Sequence, residues 1–331
     1  MKQKLIALAI ASALSAPAFA DNANVTVYGK AFLTMDSHDT GVAGTVSKMR
    51  VNTNASRFGV KGDEDLGDDL KALYQFEVEV DADGSTGAGM GKTRNSGAGL
   101  EGGFGKIVLG YWDTPFKVAH NAIELFDNTT DWTATKVIGV SEGKNFNTRQ
   151  KNMVQYWTPK MGGLQASFMY TPDEAKTTTS NKSNFSMAAT FKQDAIYAAA
   201  AYESRPDQTT NGTTDSAFRL VGKYDLADAW VGAMLENIKT NTSTTASVSG
   251  KNVELVGGIN MGASSIAASY AKAGSTATGA TAANDVNQLA LKYAYKFSKR
   301  TEVFAAYASK KTNGATSVTA KTFGGGLVHA F

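Results

Sequence analysis

Hydrophobic and polar residues alternate along most of the chain after residue 24, and this alternation is the main structural signal in the sequence. In Leu70–Val80, Tyr74 and Phe76 fall on one side of an extended chain, whereas Gln75 and Glu77 fall on the other. The same pattern returns in residues 164–170, 185–191 and 289–295. Because side chains of a β-strand point alternately to opposite faces, a period of two predicts strands with one apolar and one polar face.

The segments between the predicted strands form two groups that alternate along the chain. Seven are short turns, near residues 63–69, 101–104, 159–163, 193–194, 225–228, 262–263 and 298–299. Eight are longer and polar, and they cover roughly 37–47, 81–92, 113–148, 171–182, 203–214, 239–250, 272–285 and 310–320. Fifteen connections predict about sixteen antiparallel strands. Turns at one end and loops at the other predict an all-β, up-and-down barrel with both termini at the short-turn end.

The polar faces of the predicted strands carry many charges, namely those of Lys71, Glu77, Glu79, Arg149, Lys192, Arg219 and Lys223. A soluble sandwich or solenoid, which the glycine- and tyrosine-rich composition also fits, would pack its apolar faces inside. A barrel of about sixteen strands instead encloses a water-filled lumen in which inward charges stay solvated. We therefore predict a transmembrane β-barrel with polar side chains inward and apolar side chains toward lipid.

The amino terminus has the features of a secretory signal peptide. Two lysines precede an apolar run, and Ala18-Phe19-Ala20 forms a small-residue cleavage site. Residues 1–20 are therefore predicted to be removed, which leaves residues 21–331 as the barrel domain. Removal lowers the net charge from +3 to +1 (31 basic minus 30 acidic residues), so no nucleic-acid partner is indicated. The chain has no cysteine and no later run of about 18 apolar residues, so neither disulfides nor a transmembrane helix are predicted.

The carboxy-terminal strand ends on an aromatic residue. Phe323, Leu327 and Phe331 share one face of this strand, and the opposite face is small. Such an ending is typical of the last strand of an outer-membrane barrel, which turns apolar residues toward lipid and an aromatic ring toward the interface. Pairing of this strand with the first one, around residues 25–33, would remove both edges of the sheet.

Several stretches of the chain resemble the general diffusion porins of Gram-negative bacteria. They are VTVYGK at 25–30, SRFGVKGDEDLG at 56–67, GFGKIVLG at 103–110, MVQYWTPKMGG at 153–163 and the terminal Phe331. The resemblance extends over essentially the whole mature chain and is most specific in residues 56–110. It implies a homotrimer in the outer membrane, surrounded by lipid and lipopolysaccharide, that passes ions and small hydrophilic solutes without a cofactor. It also implies that the outer-membrane assembly machinery recognises Phe331.

In these porins the third external loop folds into the lumen and forms a constriction, with basic residues on the wall opposite acids on the loop. The corresponding loop is 113–148. By resemblance, the basic wall is Lys30, Arg57, Arg94 and Arg149, and the acidic residues of the loop are Glu124, Asp127 and Asp131. Arginine keeps its charge and planar geometry when closely packed, and opposed charges produce a transverse field across the pore. The family's usual acidic signature is not reproduced in this loop, and Arg50, Lys71 and Lys106 are alternative lumen cations.

Two other functions compete with passive diffusion. The first is a substrate-selective channel of the same architecture. The second is a barrel hydrolase, for which His120 is the only histidine predicted near the lumen, although its neighbours in sequence supply no nucleophile.

Without cysteine or paired histidines we expect no metal site, and the acidic run at 63–65 is predicted to be a solvated turn. The near-zero charge of the mature chain leaves the preference between anions and cations open.

Overall fold

Sixteen antiparallel strands form a closed barrel in the computed structural model, which describes residues 23–127, 130–141, 143–278, 285–314 and 316–331. The strands are β1 (Ala23–Asp39), β2 (Lys48–Thr53 and Arg57–Gly67), β3 (Leu70–Val80), β4 (Met90–Thr93 and Ser96–Gly102), β5 (Gly105–Asp113), β6 (Arg149–Trp157), β7 (Leu164–Thr171), β8 (Asn184–Gln193), β9 (Ile196–Pro206), β10 (Thr214–Asp225), β11 (Ala229–Asn241), β12 (Ser247–Met261), β13 (Ser264–Thr278), β14 (Asp285–Lys296), β15 (Thr301–Asn313) and β16 (Val318–Ala330). The predicted sixteen-stranded, up-and-down barrel is confirmed. The predicted signal peptide, residues 1–20, lies outside the described residues.

The first and last strands pair with each other and close the barrel. Their register runs from Lys30 opposite Ala330 to Asp39 opposite Lys321. Phe331 continues the pairing through backbone hydrogen bonds to and from Gly29, with N–O distances of 3.1 and 3.0 Å. A Cβ atom at Gly29 would lie 2.2 Å from the Phe331 ring, so the terminal ring packs where only glycine leaves room. The chain terminus is thus part of the closure.

The two faces of the strands have opposite polarity, with the apolar face outside. On β3, Phe76 is 59% exposed on the outer surface, whereas the adjacent Glu77 is 7% exposed on the inner one. Phe323, Leu327 and Phe331 of the last strand are likewise exposed. A large exposed apolar belt around a sheet with inward charges is the arrangement expected of a barrel in lipid.

The connections follow the predicted alternation, but several long loops are shorter than the sequence indicated. The predicted loops 239–250 and 310–320 were wrong over most of their length, because the strands continue through them. Lys239 pairs with Ser249, and Lys310 pairs with Ala320. Polar, threonine-rich segments can extend a β-ladder above the apolar belt, since the ladder is made by backbone groups. Composition therefore marked the end of the apolar belt rather than the end of the strands.

Strands β2 and β4 are interrupted on the same part of the wall. Strand β1 pairs with both segments of β2, and the break between them contains Ala55 at a φ of 52°. Ser56 fills the gap in the ladder, because its Oγ accepts a hydrogen bond from the Phe32 backbone N–H at 2.9 Å. Arg57 follows this break directly, and Arg94 lies inside the break of β4. One arginine thus lies at the start of a strand segment, paired with Lys30 and Glu79, and the other lies outside the ladder in a break.

The connection between β5 and β6 is a long loop (residues 114–148) that packs inside the barrel. It begins with helix α1 (Pro115–His120), whose first turn is capped by the Thr114 hydroxyl accepting from the Lys117 N–H. A 3₁₀ turn (Ala134–Lys136) and a short ribbon (Val140–Ser141 with Lys144–Asn145) follow. None of the helices in the described residues is long and apolar enough to cross a membrane.

Candidate pore constriction

The four basic residues assigned to the wall line one cavity of about 390 Å³, which we call the constriction cavity. Lys30 comes from β1, Arg57 from β2, Arg94 from β4 and Arg149 from the start of β6. These strands belong to the six consecutive strands β1–β6 of the barrel, so residues distant in sequence meet on one section of the inner wall. The structure therefore brings all four predicted basic residues together.

Glutamate and aspartate side chains hold the arginines in fixed positions. Glu77 accepts a hydrogen bond from Arg94 Nε at 2.6 Å, and its second oxygen lies 3.9 Å from Arg57 Nε. Arg149 Nε lies 2.8 Å from Asn95 Oδ1 and 3.1 Å from Asp113 Oδ1. These short charge-assisted contacts fix the planar guanidinium groups of Arg94 and Arg149, whereas Arg57 makes only the longer contact to Glu77.

The three acidic residues predicted on the long loop have three different environments. Asp127, at a φ of 60°, forms an ion pair with Lys30 and lies 3.9 Å from Arg57 Nη2. Glu124 lines the same cavity, but its carboxylate accepts hydrogen bonds from the Phe126 N–H at 3.0 Å and from Thr133 Oγ1 at 2.8 Å. Burial raises the pKa of Glu124. Asp127 is thus the loop acid that meets the basic wall.

Asp131 lies apart from the four basic residues, in a separate cavity above them. It accepts a hydrogen bond from Arg50 Nη2 at 2.7 Å and lies 3.6 Å from His38 Nδ1. Burial acts to raise the pKa of Asp131, but the hydrogen bond and charge of Arg50 outweigh it and lower that pKa. The alternative cation Arg50 therefore has an acidic partner on the long loop.

Several charged residues of the constriction cavity were missed from sequence. Lys117 on α1 turns back to form an ion pair with Asp113, and Lys292 on β14 lies 2.8 Å from Glu302 on β15. The alternation placed Lys292 on an inward face, but nothing in the sequence placed it near this loop. The cavity is lined by six basic residues (Lys30, Arg57, Arg94, Lys117, Arg149 and Lys292) and four acidic ones (Asp113, Glu124, Asp127 and Glu302). Basic groups therefore outnumber acidic groups at this site.

The long loop is held against the wall by a buried arginine and glutamate. Arg219 Nε donates to Glu236 Oε2 at 2.8 Å, and its other nitrogens donate to the Phe116 carbonyl at 3.2 Å and to Asn147 Oδ1 at 2.9 Å. The Gly139 N–H donates to Glu236 at 2.7 Å. This pair, which we call the buried anchor, thus binds the loop near its beginning and near its end.

Apolar contacts fix the loop on two sides of the barrel. Phe116 and Phe146 pack on a wall patch built largely from alanines, including Ala199, Ala201 and Ala217. On the other side Trp132 packs with Phe126 and Phe304, and its Nε1 donates to the Thr322 carbonyl at 3.1 Å. Small wall residues let the loop backbone approach closely, and the aromatic rings fill the remaining space.

His120 does not form the geometry that a hydrolase needs. Its Nε2 lies 2.5 Å from Glu254 Oε2, and its Nδ1 lies 3.7 Å from Glu124 Oε2. Both ring nitrogens therefore face carboxylates rather than a hydroxyl nucleophile. A base without a nucleophile in reach does not support acyl transfer.

A sixteen-stranded barrel with a lumen-filling loop and a charged cavity has the architecture of an outer-membrane diffusion channel. Residues 7–315 match the family described as Gram-negative porin, and the chain belongs to that family. The major outer membrane protein P.IB of Neisseria meningitidis serogroup B is 29% identical over 345 residues that cover 100% of both chains. An anion-selective porin from Comamonas acidovorans has a TM-score of 0.83 at 22% identity, over 94% of this chain and 100% of that one. A trimer form of OmpT from Vibrio cholerae has a TM-score of 0.71 at 17% identity, over 94% of this chain and 100% of that one.

Membership in this family answers the main functional question. The chain is an outer-membrane protein that forms a channel for passive diffusion, and it is not an enzyme. The barrel hydrolase considered from the sequence is therefore not favoured.

Proposed function

We propose that the constriction cavity is the selectivity region of this channel and that it favours anions over cations. The observation that carries the proposal is the convergence of six basic and four acidic side chains on one cavity. Because an ion that crosses the lumen here loses part of its hydration, the charges of the lining decide which sign passes more easily.

The division of charge supports this assignment. Lys30, Arg57, Arg94 and Arg149 come from the strand wall, and Asp127 faces Lys30 and Arg57 from the loop. The carboxylate of Glu124 is hydrogen-bonded to the Phe126 N–H and the Thr133 hydroxyl within the loop instead of facing the basic wall. The anion selectivity stated for the similar porin from Comamonas acidovorans agrees in direction. Asp131 is assigned to the entrance above the cavity, where it compensates Arg50.

The direct test is the reversal potential of the purified protein in a planar bilayer under a potassium chloride gradient. We expect the sign that corresponds to preferential chloride movement. A potential of the opposite sign would overturn the anion preference without affecting the channel function. Neutral sugars at millimolar concentration should leave the conductance unchanged, whereas a saturable decrease would favour the substrate-selective alternative.

We infer further that the functional unit is a homotrimer in contact with lipid and lipopolysaccharide, and that the assembly machinery recognises Phe331. The trimer form of the similar Vibrio cholerae protein supports the homotrimer, and the exposed apolar belt supports the contact with lipid. The pairing of Phe331 with Gly29 supports a role of Phe331 in assembly. Deletion of Phe331 should lower the fraction of trimer on unheated gels while single assembled pores keep their conductance. A normal trimer yield would contradict this role.

A further inference from the structure

A second cavity, of about 580 Å³, lies in the lumen between the constriction and the short turns, and we call it the turn-side cavity. Its lining reaches from Asp69 and Gly102 at the turns to Trp112, the residue before Asp113 of the constriction cavity. Passive diffusion requires only water and solvated charges at this position. The turn-side cavity instead combines three lysines (Lys61, Lys71 and Lys106) and three acidic residues (Asp63, Asp69 and Glu101) with the apolar Leu73 and the aromatic rings of Tyr74 and Trp112.

The aromatic part of this cavity is a fixed pair of tryptophans. The rings of Trp112 and Trp157 lie 6.3 Å apart at 76°, in an edge-to-face arrangement. They pack on Val108, Met153 and Met169, which are all nearly fully buried. Trp112 itself remains half-buried and lines the cavity. An inward tryptophan supported by an apolar cluster offers a flat surface to a ring-shaped solute.

Two lysines of the cavity lie against aromatic rings and, among the described residues, form no ion pair within 4.0 Å. Lys106 Nζ lies 4.3 Å from the Trp157 ring centroid, and Lys61 Nζ lies 5.3 Å from that of Tyr28. Lys71, in contrast, lies 4.0 Å from Asp63. Glu101 is the strand partner of Lys106, but the two form no ion pair within 4.0 Å in the described part of the chain. Lys61 and Lys106 are therefore able to bind an anionic group.

We propose that the turn-side cavity is a weak binding site for small aromatic carboxylates, with Lys106 and Lys61 binding the carboxylate and Trp112 contacting the ring. Lys106 lies over Trp157, whose ring meets that of the half-buried Trp112 edge-to-face, so a positive charge and an accessible aromatic ring lie on the same wall of the cavity and match a solute that carries an anionic group on an aromatic ring. The proposal rests on the proposed function, because a solute reaches this cavity through the constriction. Its consequence is that such solutes have a longer dwell time in the pore than equally charged aliphatic acids.

The experiment compares benzoate with cyclohexanecarboxylate, which has the same charge and a similar size but no π-face. The half-blocking concentration of each is measured from single-pore conductance in potassium chloride. In the unmodified protein we expect benzoate to block at a concentration at least about threefold lower. Equal half-blocking concentrations would overturn the proposal without any variant. A reversal potential of the cation-selective sign in the same bilayers would instead contradict the proposed anion preference of the constriction.

Variants then locate the site. Trp112→Leu should bring the two half-blocking concentrations together, and Lys106→Gln should raise both by about threefold to tenfold. The barrel supplies a matched control in Lys223 and Trp230, where Nζ lies 5.1 Å from the ring but is also 2.6 Å from Asp225. Lys223→Gln and Trp230→Leu should leave both concentrations unchanged. Equal effects of the control pair and the test pair would assign the block to general lumen charge and overturn the site.

Discussion

Two of the places where the long loop meets basic side chains of the barrel wall differ in solvent exposure. At the buried anchor, the side chains of Arg219 and Glu236 are both 0% exposed and share hydrogen bonds with the loop. At the constriction, Arg57 is 26% exposed and lies 3.9 Å from both Glu77 and Asp127. The two sites have similar chemistry, a basic residue on a strand with acidic and loop partners, but different surroundings.

This difference shows that one wall serves as a packed core and as a channel lining. Where the wall carries small residues such as Ala199 and Ala217, the loop covers it and excludes water. Where the wall carries clustered arginines, like charges and solvation keep the space open. Burying an ion pair makes its disruption expensive, whereas an ion pair in water contributes little. The buried anchor should therefore determine loop stability, and the constriction should determine ion selectivity.

The largest expected effect is a loss of stability at the buried anchor. Glu236→Ala leaves Arg219 buried without its partner and removes the acceptor of the Gly139 N–H, at a cost of about 3–5 kcal/mol. Asp127→Ala, at a partly exposed position in the middle of the loop, should cost less than about 1 kcal/mol. Both free energies of unfolding can be measured by urea titration of the refolded protein in detergent micelles. Similar costs for the two variants would show that the two sites do not differ as described.

A second effect should appear in selectivity rather than stability. Replacing Arg57, Arg94 and Arg149 by glutamine removes three positive charges from the constriction cavity. We expect the reversal potential to move toward cation preference by at least about a twofold change in permeability ratio, with a higher conductance. Lys223→Gln, which changes a lumen lysine paired with Asp225, is the control. An unchanged reversal potential in the triple variant would remove these arginines from the selectivity region.

Much of this arrangement could be predicted from the sequence, because strand alternation determines which residues face inward. Strand alternation places Lys30 of β1 and Arg57 of β2 on the inner face of the barrel, and the family resemblance adds that they face the long loop. The path of the loop could not be predicted, since it depends on contacts across the barrel. Trp132 bonds to Thr322, which is 190 positions later, and this contact carries Asp131 toward Arg50 instead of toward the four basic residues.

The environments of Lys117 and Arg219 also could not be predicted from the sequence. Lys117 was overlooked because a basic residue on the loop contradicts the family pattern, and only the short helix α1 turns it back to Asp113. Arg219 was identified as a lumen-facing charge, but the sequence does not show that the loop covers it. Solvent exposure in this barrel is set by the loop as much as by the strands.

The smallest expected effect lies at Glu124, which connects the two regions. Its carboxylate lines the constriction cavity and lies 3.7 Å from His120, whose other nitrogen bonds to the buried Glu254. Burial raises the pKa of Glu124 from its ordinary value of 4.5, so the folded state binds this proton more tightly than the unfolded state. The contribution to stability is therefore largest below about pH 4.5 and is lost as pH rises through the raised pKa.

Glu124→Gln removes this titration while keeping a side chain of the same shape. The free energy of unfolding of the variant, relative to that of the unmodified protein, should rise as the pH increases from about 4.5. Urea titrations at a series of pH values measure this difference, and Glu174→Gln in the exposed loop between β7 and β8 serves as the control. Parallel pH profiles for Glu124→Gln and the unmodified protein would mean that the Glu124 carboxylate is as well solvated as those of the open constriction. If the difference between the two unfolding free energies rises with pH, the Glu124 carboxylate is desolvated like the side chains of the buried anchor. Glu124 would then belong to the packed part of the loop although it lines the constriction cavity.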